Sequence, residues 1–201
     1  MSKIYNEITI ITVLYNSSEI VESFFDSLKN FKIIVVDNGK NEKILERIKN
    51  FKNIQVISKN KNLGYGRAIN FAFDNVSTNF FLVLNPDLSI DVSSIENMLN
   101  TLNQYNDCGI VAPITLPDKD FYGAFPERNL KNVDSSSAIK SRELLLDSKI
   151  EGELCVDVAK GCALLISAKH FKNIGKFDEK YFLFWEEIDL CRKFRSKKTC
   201  V

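Results

Sequence analysis

Residues Lys32–Gly39 read KIIVVDNG. Four consecutive β-branched aliphatics leave no polar face, so the stretch reads as a strand buried on both sides, closed by a turn at Asp37-Asn38-Gly39. The combination recurs along the chain. Ile8–Leu14 (ITIITVL) runs into Tyr15-Asn16-Ser17-Ser18, Asn53–Ile57 is a shorter apolar run, Asn79–Leu84 (NFFLVL) runs into Asn85-Pro86-Asp87, and Gly109–Ala112 begins another strand. Between them apolar residues fall at helical spacing: Ile20, Val21, Phe24, Phe25 and Leu28, then Glu42–Ile48, then a helix entered at Gly64 and running through about Asn75, then Ile95–Leu102. Ser17 or Ser18 is placed to cap the first of these. The alternation predicts an α/β fold: a Rossmann-like, mostly parallel sheet flanked by helices, with right-handed crossovers.

Residues 115–150 break the rhythm and read as a long connection, with one short helix around Ser141–Leu146. Regular patterning returns at Leu154–Ser167 (LCVDVAKGCALLIS), read as two strand segments bent at Gly161.

The chain has 201 residues and a formal net charge of +1, which gives bulk electrostatics no grip on a nucleic-acid partner. The run Arg192–Lys198 is basic with aromatic spacing. It suits either the C-terminal half of a helix, where cations complement the macrodipole, or a peripheral contact with an anionic membrane face. None of the five cysteines forms a C-x-x-C pair, and the odd count without a secretion signal argues for reduced thiols in the cytoplasm. The N-terminal apolar run is too short for a membrane span.

Chemistry is expected at the carboxyl ends of the parallel strands, where open α/β sheets bind ligands. Asn16, Asp37-Asn38 and Asn85-Pro86-Asp87 all fall there. Each is a set of ordinary turn formers, yet all three occupy equivalent strand exits. Asp87 follows a rigid proline and can ligate a hard cation, Mg2+ or Mn2+, shared with a ligand diphosphate; its alternative role is an Asx turn or helix cap. Gly64 and Gly66 allow a ligand close to the backbone beside a helix N-terminus, and Arg67 can steady a phosphate or lie on the surface. The late stretch Tyr181–Arg192, YFLFWEEIDLCR, drives four aromatics into Glu186, Glu187 and Asp189. The three acids complement the N-terminus of a helix beginning near Glu186, and they also offer a base. Core packing is the expected job of Phe184 and Trp185, with a face for a sugar ring as the alternative.

In order and spacing, ITVLYNS, IIVVDNG, NKNLGYGRAIN, FLVLNPD and GCALLISAKHFKNIGKFDEKYFLFWEEIDLCRKF resemble family 2 glycosyltransferases, in particular the rhamnosyltransferase-like enzymes of bacterial surface polysaccharide synthesis. The resemblance spans residues 8 to about 195. It implies a GT-A fold and inverting transfer of a sugar from a nucleotide-diphosphate donor to a saccharide or lipid-linked acceptor. It implies a cytoplasmic enzyme, peripheral at the inner membrane face, with a homodimer left open. On this pattern Asn16, Asp37, Asn38, Gly64, Gly66, Arg67 and Asn85 serve the nucleotide, Asp87 the metal, Glu187 with Glu186 the base, and Gly161, Cys162 and Trp185 the acceptor side. Asn85 stands where the family has the first Asp of D-x-D, and Glu187 where it has Asp. Residues 1–201 read as one domain, a nucleotide-sugar half to about residue 112 and an acceptor half from about 113. Family members usually continue further and supply a late histidine, whereas the one histidine here, His170, precedes the acids. The second reading is therefore a shortened, inactive nucleotide-sugar-binding relative or subunit. A nucleotidyltransferase would carry a basic, glycine-rich loop where this chain has YNSSEIVES.

Overall fold

The computed structural model describes residues 3–17, 22–113, 153 and 155–201. The expected connection across 115–150, the helix near Ser141–Leu146, the cap at Ser18 and the helical positions Ile20 and Val21 lie outside the described residues. In chain order the elements are α1 (Ile4–Glu7), β1 (Ile8–Leu14), α2 (Glu22–Ser27), β2 (Lys32–Asp37), α3 (Glu42–Ile48), β3 (Ile54–Ser58), α4 (Tyr65–Phe73), β4 (Phe80–Leu84), α5 (Val92–Gln104), β5 (Ile110–Val111), β6 (Ala163–Ser167), α6 (Ala168–Asn173) and α7 (Glu186–Ser196).

Six strands form one sheet in the order β3-β2-β1-β4-β6-β5. The unbroken apolar runs have a direct cause: successive side chains enter opposite cores. From β1, β2, β4 and β6, residues Ile8, Ile10, Ile33, Val35, Leu82, Leu84 and Leu165 meet α2, α3 and α5, including Phe25, Ile44 and Ile95. Their neighbours Ile11, Ile34, Val36, Phe81, Val83, Leu164 and Ile166 meet α4, α6 and α7, including Ile69, Phe171 and Leu190. β1, β2, β4 and β6 are covered on both faces, so they show no period-two alternation of polar and apolar residues; β3, at the sheet edge, exposes Gln55 and Val56.

The first four strands pair in parallel. β6 runs antiparallel to β4, and β5 antiparallel to β6, so the sheet is mixed at this end. The expectation of two strand segments across Leu154–Ser167 also needs correction, since among the described residues only Ala163–Ser167 is a strand. Val158 and Ala159 are buried, but outside the sheet: the Ala159 N–H points at Cys191 Sγ in α7 (3.4 Å), and the Val156 N–H donates to Val201 O near the C-terminus (3.0 Å). Their hydrophobicity reports helix packing and not sheet pairing. The Ser17 hydroxyl donates to Tyr15 O and its N–H to Asn41 Oδ1, while the residues it was expected to cap lie outside the described ones.

The antiparallel strand positions the site. With Leu84 paired to Ala163, the β6 entrance lies beside the β4 exit, and the Asn85 N–H donates to Cys162 O at 2.9 Å.

Candidate active site

The exits of β1 and β2 are tied together by amides. The Asn38 N–H donates to Leu14 O (2.9 Å). Asp37 Oδ1 accepts from the Asn41 N–H (3.1 Å) and from Asn41 Nδ2 (2.7 Å), while Asn41 Nδ2 also reaches Leu14 O. One carboxylate oxygen of Asp37 thus holds its own turn. Asn41 was not among the residues singled out from the sequence; an Asn four after a strand-end Asp was its only signal. Asn38 Oδ1 accepts from the Leu63 N–H (2.7 Å), and its amide donates to Asn62 Oδ1 (2.8 Å) and Gly64 O (3.3 Å), locking the glycine loop to β2. Asn16 is exposed at φ 49°, a left-handed conformation that Asn tolerates.

The glycine loop itself grips the late aromatic segment. Gly64 sits at φ 77°, and a Cβ there would lie 2.1 Å from Phe182 O, the carbonyl that accepts from the Tyr65 N–H (3.0 Å). A Cβ on Gly66 would press on Phe177 at 3.1 Å, so this glycine serves close packing inside the protein. The Arg67 Nε–H donates to Glu179 O (2.6 Å). Asn70, buried, exchanges two bonds with the Phe177 backbone, at 3.1 and 3.0 Å. In this structure Gly64, Gly66 and Arg67 each touch residues 177–182.

That segment leads into α7 through an unusual backbone. Phe184 (φ 65°) and Trp185 (φ 72°) are both left-handed, a strained state for non-glycine residues that concentrates at functional sites. Neither packs in the core: Phe184 is 69% and Trp185 64% exposed, which corrects the expectation that they do. Trp185 occupies the N-cap of α7, so Glu186 and Glu187 open the helix where carboxylates suit the dipole. Asp189, half-buried, pairs with Lys193 one turn on (3.0 Å).

The two ends of the cleft meet at the Tyr65 hydroxyl. It lies 2.8 Å from Asn85 Oδ1 and 2.8 Å from Gly161 O. Burial, first, and then its titratable neighbours Cys162, Glu186, Glu187 and Asp87 push its pKa upward. The hydroxyl thus joins Asn85, two residues before Asp87, to Gly161, along which Glu187 lies. Glu187 lies along Gly161, where a Cβ would stand 3.3 Å from its Cβ and 3.7 Å from its Cδ. Glu186 is 5% exposed; burial raises its pKa, with Glu187 as a second cause. Glu186 Oε2 and Glu187 Oε2 are both buried without a hydrogen-bond partner among the described residues. Burial likewise pushes the Cys162 thiol up. Asp87 is exposed on the turn after β4.

Among the described residues no group of three or more His, Cys, Asp or Glu is placed to hold a metal ion. A hard cation held by one or two carboxylates and completed by phosphate oxygens needs no such group. The single exposed carboxylate of Asp87 fits a cation that arrives with a diphosphate, and not a metal centre built from protein alone.

Known proteins are similar to this chain in sequence and in fold. The sequence profile of "Glycosyl transferase family 2" matches residues 9–166. A low-salt glycan biosynthesis hexosyltransferase of Haloferax volcanii is 27% identical over 96% of this chain and 62% of its own length. The N-acetylglucosaminyl-diphospho-decaprenol L-rhamnosyltransferase of Mycobacterium tuberculosis is 23% identical over 90% of this chain and 68% of its own. The chain thus spans about two thirds of the length of these relatives. In structure it resembles a mannosyltransferase from Pyrobaculum calidifontis solved with GDP-Man and Mn2+, with a TM-score of 0.69 at 13% identity over 96% of this chain and 53% of that one. It also resembles TarS of S. aureus solved with UDP-GlcNAc, with a TM-score of 0.57 at 20% identity over 93% of this chain and 52% of that one. The fold is thereby the GT-A fold, with its antiparallel strand beside the acid-bearing turn, and the chain belongs to glycosyl transferase family 2.

Proposed function

We propose that the chain carries out inverting transfer of a sugar from a nucleotide-diphosphate sugar to a hydroxyl of a saccharide or lipid-linked acceptor in surface-glycan synthesis. The observation that supports this most directly is the Tyr65 hydroxyl, which contacts both Asn85, on the turn of Asp87 at the β4 exit, and Gly161, against which Glu187 at the start of α7 lies. Residues to about 112 form the donor half and those from about 113 the acceptor half. Asn16, Asp37, Asn38 and the loop at Gly64 rim the nucleoside, with Asn85 and Asp87 at the diphosphate. A bound Mg2+ or Mn2+ on Asp87 would neutralise charge on the departing diphosphate.

Glu187 accepts the acceptor's hydroxyl proton while the oxygen bonds to the anomeric carbon. The bond from that carbon to the diphosphate breaks on the opposite face, and the electron pair leaves with the nucleoside diphosphate. Exposed Trp185 offers an apolar ring face to the acceptor sugar. Rhamnose is the donor sugar to test first, because a relative is named for it; that relative's decaprenol-linked acceptor also supports work at a membrane face. No helix among the described residues is long and apolar enough to cross a membrane. The five cysteines are free thiols, which suits the reducing cytoplasm.

Glu187→Gln is the test. Calorimetry with donor and Mn2+ is expected to show affinity within about twofold of wild type, and turnover is expected to fall by roughly 10²–10⁴. Unchanged turnover removes Glu187 as the base. Wild type that binds donor without turnover leaves a nucleotide-sugar binder in place of the enzyme.

A further inference from the structure

Resting on that transferase reading, we propose that Tyr65 is a positioning residue whose hydroxyl fixes the separation of the donor turn from the base by bridging Asn85 to Gly161. The bridge joins chain segments that are otherwise remote: Tyr65 and Gly161 are 96 residues apart. At one end, Asn85 is two residues before Asp87 and opens the same turn. At the other, Gly161 is the surface against which Glu187 lies. The backbone of Tyr65 holds a third point, because its N–H donates to Phe182 O in the segment that delivers Glu186 and Glu187. One residue thus touches the turn of Asp87, the bed of Glu187 and the approach to α7.

The chemistry suits a fixed spacer. A phenol has one proton and can also accept, so its two 2.8 Å contacts are both met if the Asn85 amide turns its Nδ2 toward the oxygen. Burial and the surrounding acids keep the hydroxyl protonated, so it adds no charge of its own to the three carboxylates. Phenylalanine would occupy nearly the same volume while removing the side-chain bridge between the two sides. Asn85 N–H to Cys162 O would remain as backbone pairing at the sheet edge, one residue away from the bed of Glu187.

Tyr65→Phe in the full chain provides the test, with kcat divided by the number of nucleotide-diphosphate sites counted by calorimetry in Mn2+. The expected result is donor affinity within about twofold of wild type and kcat per site lower by roughly 10²-fold, the scale of an ångström misplacement at a reacting centre. A structural role alone would lower the count of sites and leave kcat per site untouched, which overturns the proposal. Asn85→Leu breaks the same bridge from its other end, so its kcat per site should also fall, and the Tyr65→Phe/Asn85→Leu double variant should fall no further than the lower of the two singles. Losses that simply multiply in the double variant overturn the bridge, and if Tyr65→Phe does not fold, an Asn85→Leu with wild-type kcat per site overturns it. A wild-type chain without turnover overturns the transferase reading and the bridge's role with it, while an active wild type beside an equally active Tyr65→Phe overturns the bridge alone.

Discussion

Replacing Gly161 with Ala tests the placement of Glu187 without touching a titrating group. The new methyl carbon would stand 3.3 Å from Glu187 Cβ, 3.5 Å from Cγ and 3.7 Å from Cδ. Carbon atoms rest comfortably at about 3.5–4.0 Å, so Glu187 must yield by about 0.3 Å. Gly161 is not one of the glycines at positive φ, so alanine adds no backbone strain there. Overpacking by a methyl costs about 1–3 kcal/mol in a closed core, and about 1 or less beside a half-exposed side chain that can swing. The stiffer unfolded chain returns about 0.4–1 kcal/mol. Stability should therefore be nearly unchanged. An ångström of misplacement costs about 10²-fold in rate, so a few tenths should cost about four- to tenfold. The assay is nucleoside-diphosphate release under saturating donor, beside thermal melting. Gly175→Ala is the matching control: Gly175 has φ 88° and nothing within 4 Å of a new Cβ, so alanine should cost about 1–2 kcal/mol of stability and leave kcat alone. Full activity in a well-folded Gly161→Ala would refute the idea that this backbone seats the base.

Two further outcomes are expected. The folded state of Glu186 holds its proton to higher pH than the unfolded chain does, so wild-type stability is greatest below the ordinary glutamate range and declines as pH rises through the raised value. Glu186→Gln carries no charge at any pH; urea melts should show it flat between about pH 4 and pH 8 and about 1 kcal/mol above wild type at the upper end. Gly64→Ala places a Cβ 2.1 Å from Phe182 O at a left-handed φ. It must give up the Tyr65 N–H bond to that carbonyl as well, so urea titration should show a loss of about 3 kcal/mol or more.

The parallel half of the fold was legible because β1, β2 and β4 are buried on both faces and therefore spell themselves as nearly uninterrupted apolar runs. The same rule misread 154–160, where Val158 and Ala159 are just as apolar but face Cys191 and the rest of α7. Burial leaves one mark in the sequence whichever partner provides it. Strand direction left no mark at all: ALLIS is the same string parallel or antiparallel. The acids and their strand exits could be named from spacing, since strand ends and helix starts are local events. Tyr65 could not, because its role depends on meeting Asn85 and Gly161 across the fold. The exposure of Phe184 and Trp185 was equally hidden, since an aromatic run bound for the surface looks like one bound for the core.

The β4–β6 pairing has a consequence for how the molecule comes into being. β1 to β4 are joined by short βα connections and can collapse on neighbours nearby in the chain, whereas the Tyr65–Gly161 contact must close a loop of 96 residues. Closing long loops is what slows folding, so catalytic competence is gained in the last, least local step of assembly. A nascent chain that has emerged only as far as α5 has Asp87 and the exits of β1, β2 and β4 but not yet Glu186 and Glu187. Under the proposed function it would be a holder of donor that cannot pass the sugar on until β6 and α7 arrive.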